Sequence, residues 1–184
     1  TSVCRDYIEP SVACLVHRRL GLRSECLNLD LGNACLGFVN GMDFVANLIE
    51  RGELDYGLVV DGEGSRHAVG ATIERLNASG DARAFADNFA TLTLGSGAVA
   101  MLLCRKELAT SGHSLNGAVT LAATQHNRLC VGQPDYMKTD ASALLIAGVQ
   151  LAGETWRAAT DELPRWSDDQ ISMYIPHQVG ARHM

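Results

Sequence analysis

Residues 27–61 read LNLDLGNACLGFVNGMDFVANLIERGELDYGLVVD, and this stretch decides the fold class. Leu27, Leu29 and Leu31 alternate with Asn28 and Asp30, the period-two signature of a strand. Gly32-Asn33-Ala34-Cys35 then forms a tight turn. Phe38, Met42, Val45, Ala46 and Ile49 recur on one face of a following helix, and Gly52 supplies its stop. Asp55 to Asp61 is a second strand, apolar enough for the middle of a sheet. Strand, turn, helix and strand make a βαβ unit, which implies a right-handed crossover in a largely parallel sheet.

The pattern extends on both sides. Pro10 to Leu20 reads as a short helix ended by Gly21. From Gly62 to Leu92 the sequence turns irregular, with a break at Asn77-Ala78-Ser79-Gly80 and a helix over Ala82 to Phe89. Such a surface excursion often shapes an entrance for substrate. Gly95-Ser96-Gly97 leads into the strand Ala98 to Cys104, and Gly117 to Gln125 reads as a further strand. Leu145, Val149, Ala152, Trp156 and Ala159 carry helical periodicity through residues 141–163, and Ile171 to Ile175 is a final strand before Pro176 and His177. Alternating helices and strands give the class α/β.

Composition narrows the function. The 184 residues suffice for a hydrophobic core, and 47% hydrophobic with 20% charged residues excludes a disordered chain. A net charge of −6 and 5% aromatic residues argue against a nucleic-acid partner, which wants a basic groove and stacking rings. No apolar run is long enough for a transmembrane segment, and no leader opens the chain, so a cytoplasmic location is expected. The six cysteines include no C-x-x-C pair and no histidines stand at i and i+4, so no metal site is expected. The chain begins at Thr1 and stops at Met184 just after the polar cluster from His177 to His183, the pattern expected of an internal fragment.

Three residues stand where chemistry would need them. Cys35 lies between a strand and the first turn of a helix, the position at which α/β proteins expose a side chain at the sheet's carboxyl end. A helix N-terminus favours thiolate over thiol, and its free N–H groups suit an oxyanion on an attached acyl group. An inert core thiol is the other reading of the same position. His177 follows a strand and Pro176, so it is placed either as partner to a nucleophile or as an ordinary surface histidine. Glu9 precedes Pro10 in extended backbone, and its plain reading is a solvated carboxylate near a helix start. Weaker candidates have blander explanations. The basic cluster His17, Arg18, Arg19 and Arg23 reads as an exposed helix face, Trp156 and Trp166 as packing, and His126 with Cys130 as too few ligands for a metal.

Taken together, these stretches resemble a known family. Gly32-Asn-Ala-Cys35-Leu-Gly-Phe-Val-Asn-Gly41 resembles the nucleophile turn of the ketoacyl synthase III branch of the thiolase superfamily. Gly95-Ser-Gly-Ala-Val-Ala-Met-Leu-Leu103 is similar to that branch's glycine-rich strand, and Pro176-His177-Gln178 to its histidine motif. Within the branch, the opening Thr1-Ser-Val-Cys-Arg-Asp-Tyr-Ile-Glu9-Pro-Ser11 is most similar to the acyl-CoA:acyl-CoA condensing enzymes of bacterial long-chain olefin biosynthesis.

The resemblance implies a five-layered α/β/α/β/α thiolase fold, incomplete at both ends. Residues 1–110 would form the latter part of the N-terminal half, and 111–184 the opening part of the C-terminal half. It implies an acyltransferase that joins two fatty acyl thioesters by Claisen condensation without decarboxylation. Cys35 would carry the first acyl group. Glu9, reaching into the partner subunit of a homodimer, would take the α-proton of the second. His177 would steady the thioester oxygen with an asparagine that lies outside this chain. Coenzyme A thioesters, or acyl-carrier thioesters, would be the substrates, with no tightly bound cofactor. Two alternatives accompany this reading: a decarboxylative 3-oxoacyl synthase III using a malonyl thioester, and a catalytically incomplete chain acting as a dimerisation partner.

Overall fold

A computed structural model describes the chain except for Asp6, Ser111, Asp168 and residues 179–184. The polar stretch after Gln178 therefore lies outside the described residues. The elements follow in the order α1 (Val12–Leu20), α2 (Gly37–Glu50), β1 (Tyr56–Glu63), α3 (Arg66–Ser79), α4 (Ala82–Asn88), β2 (Gly97–Cys104), β3 (Cys130–Gln133), β4 (Tyr136–Thr139) and α5 (Ala141–Glu162).

The helix ends follow the chemistry of their residues. Ser11 caps α1 by accepting the Cys14 N–H at 3.1 Å. Gly21, at φ +61°, closes it by donating its N–H to Arg18 and His17 carbonyls. Helix α2 ends at Gly52, φ +74°, with Gly52 and Glu53 N–H groups returning to the carbonyls of Ile49 and Leu48 at 2.9 and 3.0 Å. Asp140 caps α5 through the Ala143 N–H at 3.0 Å.

The centre of the molecule is the packing of α2 on β1. Glycine permits it twice. A Cβ at Gly41 would lie 2.9 Å from Val59 Cγ1, and a Cβ at Gly57 would collide with Val45 Cγ1. Without those side chains the helix settles directly onto the strand, and Val59 is left 5% exposed. Strand β1 pairs antiparallel with β2 from Tyr56↔Cys104 to Glu63↔Gly97. A second centre joins α3 and α4 to the hairpin β3–β4. There Arg75 Nη2 donates to Asn88 Oδ1 at 2.8 Å, its guanidinium lies 5.7 Å from the Tyr136 ring centroid, and Thr91 Oγ1 donates to the Met137 carbonyl at 3.0 Å. Thr72 and Thr91 are fully buried in it.

Several expectations change. Both pairings among the described residues are antiparallel two-stranded ladders, so the parallel crossover anticipated from residues 27–61 is not formed here. Leu27–Leu31, Gly117–Gln125 and Ile171–Ile175 carry no strand ladder; residues 124–126 of the second form a single 3-10 turn. A strand exists only where its N–H and C=O groups pair with a neighbouring strand, and these segments have no such neighbour among the described residues. Their apolar side chains stay open to solvent, with Leu27 72%, Met173 72% and Ile175 87% exposed. The segment read as irregular after Gly62 contains α3, whose apolar periodicity is weak, and the short hairpin β3–β4 escaped notice because each strand has only four residues.

Accessible surface measures the same openness. It is 13812 Å², where a folded monomer of this mass is expected to show roughly 8,600 Å². No helix among the described residues is long and apolar enough to cross a membrane.

The glycine contacts generate a test. Gly57→Ala in the full-length protein is expected to destabilise it by about 1–3 kcal/mol through overpacking against the stiff, β-branched Val45. Gly62→Ala, which meets nothing within 4 Å, should cost less. Denaturant midpoints of the two variants check the order.

Candidate active site

Cys35 stands in a single 3-10 turn, Ala34–Leu36, that runs directly into Gly37, the first residue of α2. The turn is held tightly. Asn33 Nδ2 donates to Asn40 Oδ1 at 2.5 Å, and the Leu36 N–H to the Asn33 carbonyl at 2.9 Å. Ala34 adopts φ +43°, a left-handed conformation that costs a residue with a Cβ about 1 kcal/mol or more. No sequence signal marked that strain, since Gly or Asn would be the usual occupant. The turn is followed by the glycines that sink α2 onto β1, so the cysteine is presented at the head of a helix whose flank is fixed.

The expectation of a stabilised thiolate is not met. Cys35 is exposed as a residue, yet protein crowds its Sγ, and that burial pushes the thiol above its ordinary value of 9.0. The hydrogen bond from its own backbone N–H works in the opposite direction. Cys130 and the Glu63 carboxylate add to the rise. Desolvation is the largest of these influences and outweighs the backbone hydrogen bond. Cys4 has the same character: burial raises its thiol, and the charge and hydrogen bond of Glu63 raise it further.

Glu9 and Pro10 lie in an exposed loop before α1, joined by a cis peptide bond. The neighbouring Tyr7 and Ile8 are 58% and 84% exposed. The loop is fastened at both ends. Before it, the Glu63 carboxylate accepts the N–H groups of Val3 and Cys4, each at 2.7 Å. After it, Asp30 accepts those of Val12 and Ala13 at 3.0 and 2.9 Å and pairs with Arg5 at 3.3 Å. Desolvation pushes the Asp30 carboxyl up, but the two N–H groups and nearby positive charge, Arg5 included, outweigh it and hold the carboxyl below its ordinary value. Sequence reading missed both carboxylates because their partners are main-chain groups of a remote segment.

His177 is exposed beyond α5. Among the described residues no hydrogen bond links Cys35, Glu9 and His177. A groove of about 340 Å³ lies beside the Glu9 loop, lined among others by Cys4, Arg5, Tyr7, Pro10 and Glu63. A larger groove of about 700 Å³ lies at the end of α5, against Asn116, Leu163 and Trp166, and touches none of the three. Trp156 and Trp166 pack against each other as expected, with centroids 5.2 Å apart. The basic cluster around His17 occupies the last turn of α1, where positive charge complements the helix dipole. No group of three or more His, Cys, Asp or Glu among the described residues is arranged to hold a metal.

Known proteins match this arrangement along its whole length. The chain is 44% identical over 184 residues to an acyl-CoA:acyl-CoA alkyltransferase of Xanthomonas campestris, matching 100% of the chain and 54% of that relative. Its fold superposes on a crystal structure of OleA from Xanthomonas campestris, a cysteine-to-alanine variant, with TM-score 0.93 and 43% identity, over 99% of this chain and 53% of that one. The chain is homologous to the thiolase-fold condensing enzymes. It spans about half the length of the curated relatives it matches. A β-ketoacyl-acyl-carrier-protein synthase III of Pseudomonas aeruginosa is more distant, 28% identical over 96% of the chain and 52% of its own length. OleA from the same Xanthomonas has also been crystallised with lauric acid and lauroyl-CoA; that structure has TM-score 0.83 and 45% identity over 88% of this chain and 48% of its own. No family model matches the chain.

The raised thiol can be checked directly. In the full-length protein, the rate at which iodoacetamide alkylates Cys35 is expected to climb with pH and reach half its plateau above 9.0. A midpoint near about 7, typical of thiols activated by a helix end, would mean that the helix end dominates after all.

Proposed function

We propose that this chain serves a Claisen-condensing acyltransferase that joins two fatty acyl-CoA thioesters head to head, without decarboxylation, through an acyl-Cys35 intermediate. One observation carries the reading. Crystals of the Xanthomonas OleA include variants at one cysteine, one glutamate and one histidine. The spacing among those three positions equals the spacing among Cys35, Glu9 and His177. Residues 1–110 and 111–184 are assigned on the same reading to successive thiolase halves.

The chemistry then follows from the groups available. The Cys35 sulfur attacks the carbonyl of the first acyl-CoA; a carbon–sulfur bond forms to Cys35 and the coenzyme A thiolate leaves. Glu9 removes the α-proton of the second acyl-CoA, and the resulting enolate carbon attacks the Cys35 thioester. The bond to Cys35 breaks, the thiolate is released, and a β-keto acyl-CoA remains. His177 donates a hydrogen bond to a thioester oxygen where negative charge develops. An acyl-CoA substrate, on this reading, supports a cytoplasmic location.

Glu9 acts across a homodimer. Its exposed loop, flanked by the apolar Tyr7 and Ile8, supports this arrangement, because such side chains gain by being covered when a second subunit receives the glutamate. The more distant likeness to synthase III favours one second reading, decarboxylative condensation with a malonyl thioester, in which loss of carbon dioxide supplies the carbanion and no glutamate base is required.

The test uses the full-length protein with lauroyl-CoA. Glu9→Gln is expected to leave acylation of Cys35 visible by mass spectrometry while lowering condensation by about 10²–10⁴-fold, the usual worth of a general base. Mixed dimers of Glu9→Gln and Cys35→Ala subunits should regain activity if the glutamate works in the partner's site. Condensation that proceeds in Glu9→Gln, and only with malonyl thioester present, would establish the second reading instead.

A further inference from the structure

The loop that carries Glu9 has little packing of its own, since Tyr7, Ile8, Glu9 and Pro10 are all exposed. Thr1 and Ser2 tie the preceding segment to β1, and two carboxylates from elsewhere in the chain grip the residues nearest the loop. Glu63 is the last residue of β1, and its two oxygens each receive one main-chain N–H, from Val3 and Cys4. The Gly64 N–H answers by donating to the Cys4 carbonyl at 3.4 Å. Asp30 receives two more, from Val12 and Ala13, and holds Arg5 as well. The grips therefore bracket Glu9 on both sides. Both come from the unit that presents Cys35: Asp30 stands five residues before it, and Glu63 ends the strand on which α2 is seated.

We infer that Glu63 and Asp30 are positioning residues for Glu9, fixing the loop that delivers it to the partner subunit on the rigid frame of its own subunit. The inference rests on the reading of Glu9 as the α-proton base. Charged acceptors make short, strong hydrogen bonds to main-chain N–H groups. Four such bonds plus an ion pair are well suited to hold an otherwise unpacked loop. Precision is what the deprotonation step demands, because a displacement of about 1 Å in a reacting group costs about 10²-fold in rate. Loading of Cys35 makes no use of Glu9 and so has no such need.

Measurements on the full-length protein separate this role from simple support of the fold. Glu63→Gln and Asp30→Asn keep the side-chain shape but replace one acceptor oxygen by an NH2 group that faces an N–H donor. Each is expected to lower condensation of lauroyl-CoA by about tenfold or more, while single-turnover acylation of Cys35 falls by no more than about threefold. Alanine variants at both positions should give the same split, and whichever variants melt as the parent does carry the test. In a Glu9→Gln background, adding Glu63→Gln should lower the residual condensation by less than about twofold, because a residue acting through Glu9 has nothing left to position.

Equal losses in acylation and condensation would overturn the inference, as would no loss in either. So would full additivity in the Glu9→Gln background. If Glu9→Gln alone condenses normally, the base assignment has failed and this inference falls with it. That failure shows in the single variant, before either anchor is touched.

Discussion

The close approach of α2 to β1 is the constraint on which the rest of the molecule depends. It is made possible by two missing side chains, at Gly41 and Gly57, whose places are taken by Val59 and Val45. With the helix pressed onto the strand, its first turn has only one place to be, and the 3-10 turn of Cys35 is fixed with it. The far end of the same strand is Glu63, which grips the segment leading to Glu9. One packing contact thus ties the Cys35 turn and the Glu9 loop of the same chain to one frame, although the two residues lie 26 positions apart.

Parts of this organisation were legible in the sequence because they are local. Gly21 and Gly52 end their helices through backbone conformations that few other residues adopt, and Ser11 caps α1 through an oxygen only three residues from its partner. The nucleophile turn was readable for the same reason. Strand partners were not. The alternation of Leu27, Leu29 and Leu31 marks a residue pattern with two faces, but says nothing about which main chain lies alongside. Helix α3 was missed because its polar and apolar residues are poorly segregated, so its existence rests on tertiary packing around Thr72 and Arg75 rather than on periodicity. Asp30 and Glu63 carried no motif at all: a carboxylate that accepts main-chain N–H groups is indistinguishable in sequence from one that faces water.

The electrostatics of Cys35 show how a local rule is overruled by its surroundings. Burial raises the Cys35 thiol above its ordinary value, and the opposing hydrogen bond from its own backbone N–H does not cancel that rise. Glu63 contributes to this state from the position in which it anchors the segment leading to Glu9.

Openness of the surface and absence of strand pairing are one physical fact seen twice. Leu27 and Leu29, Leu121, and Met173 with Ile175 are exposed, and each belongs to a segment whose alternation reads as a strand and whose main chain has no ladder among the described residues. A neighbouring strand would satisfy the N–H and C=O groups and bring the layer that covers the side chains, so the two deficits are removed by the same contact. Loss of one without the other would leave either apolar groups in water or polar groups buried without partners, and both are costly. The unit built from α2, β1 and β2 escapes this dependence on one face, where Val59 is sealed beneath α2. On the other face, the cross-strand pair Leu58 and Leu102, 41% and 64% exposed, shows that the β1–β2 ladder still lacks part of its cover. Within the chain, glycine packing fixes the Cys35 turn and carboxylate anchors fix the Glu9 loop, while the cover of both depends on surfaces that these residues do not themselves bury.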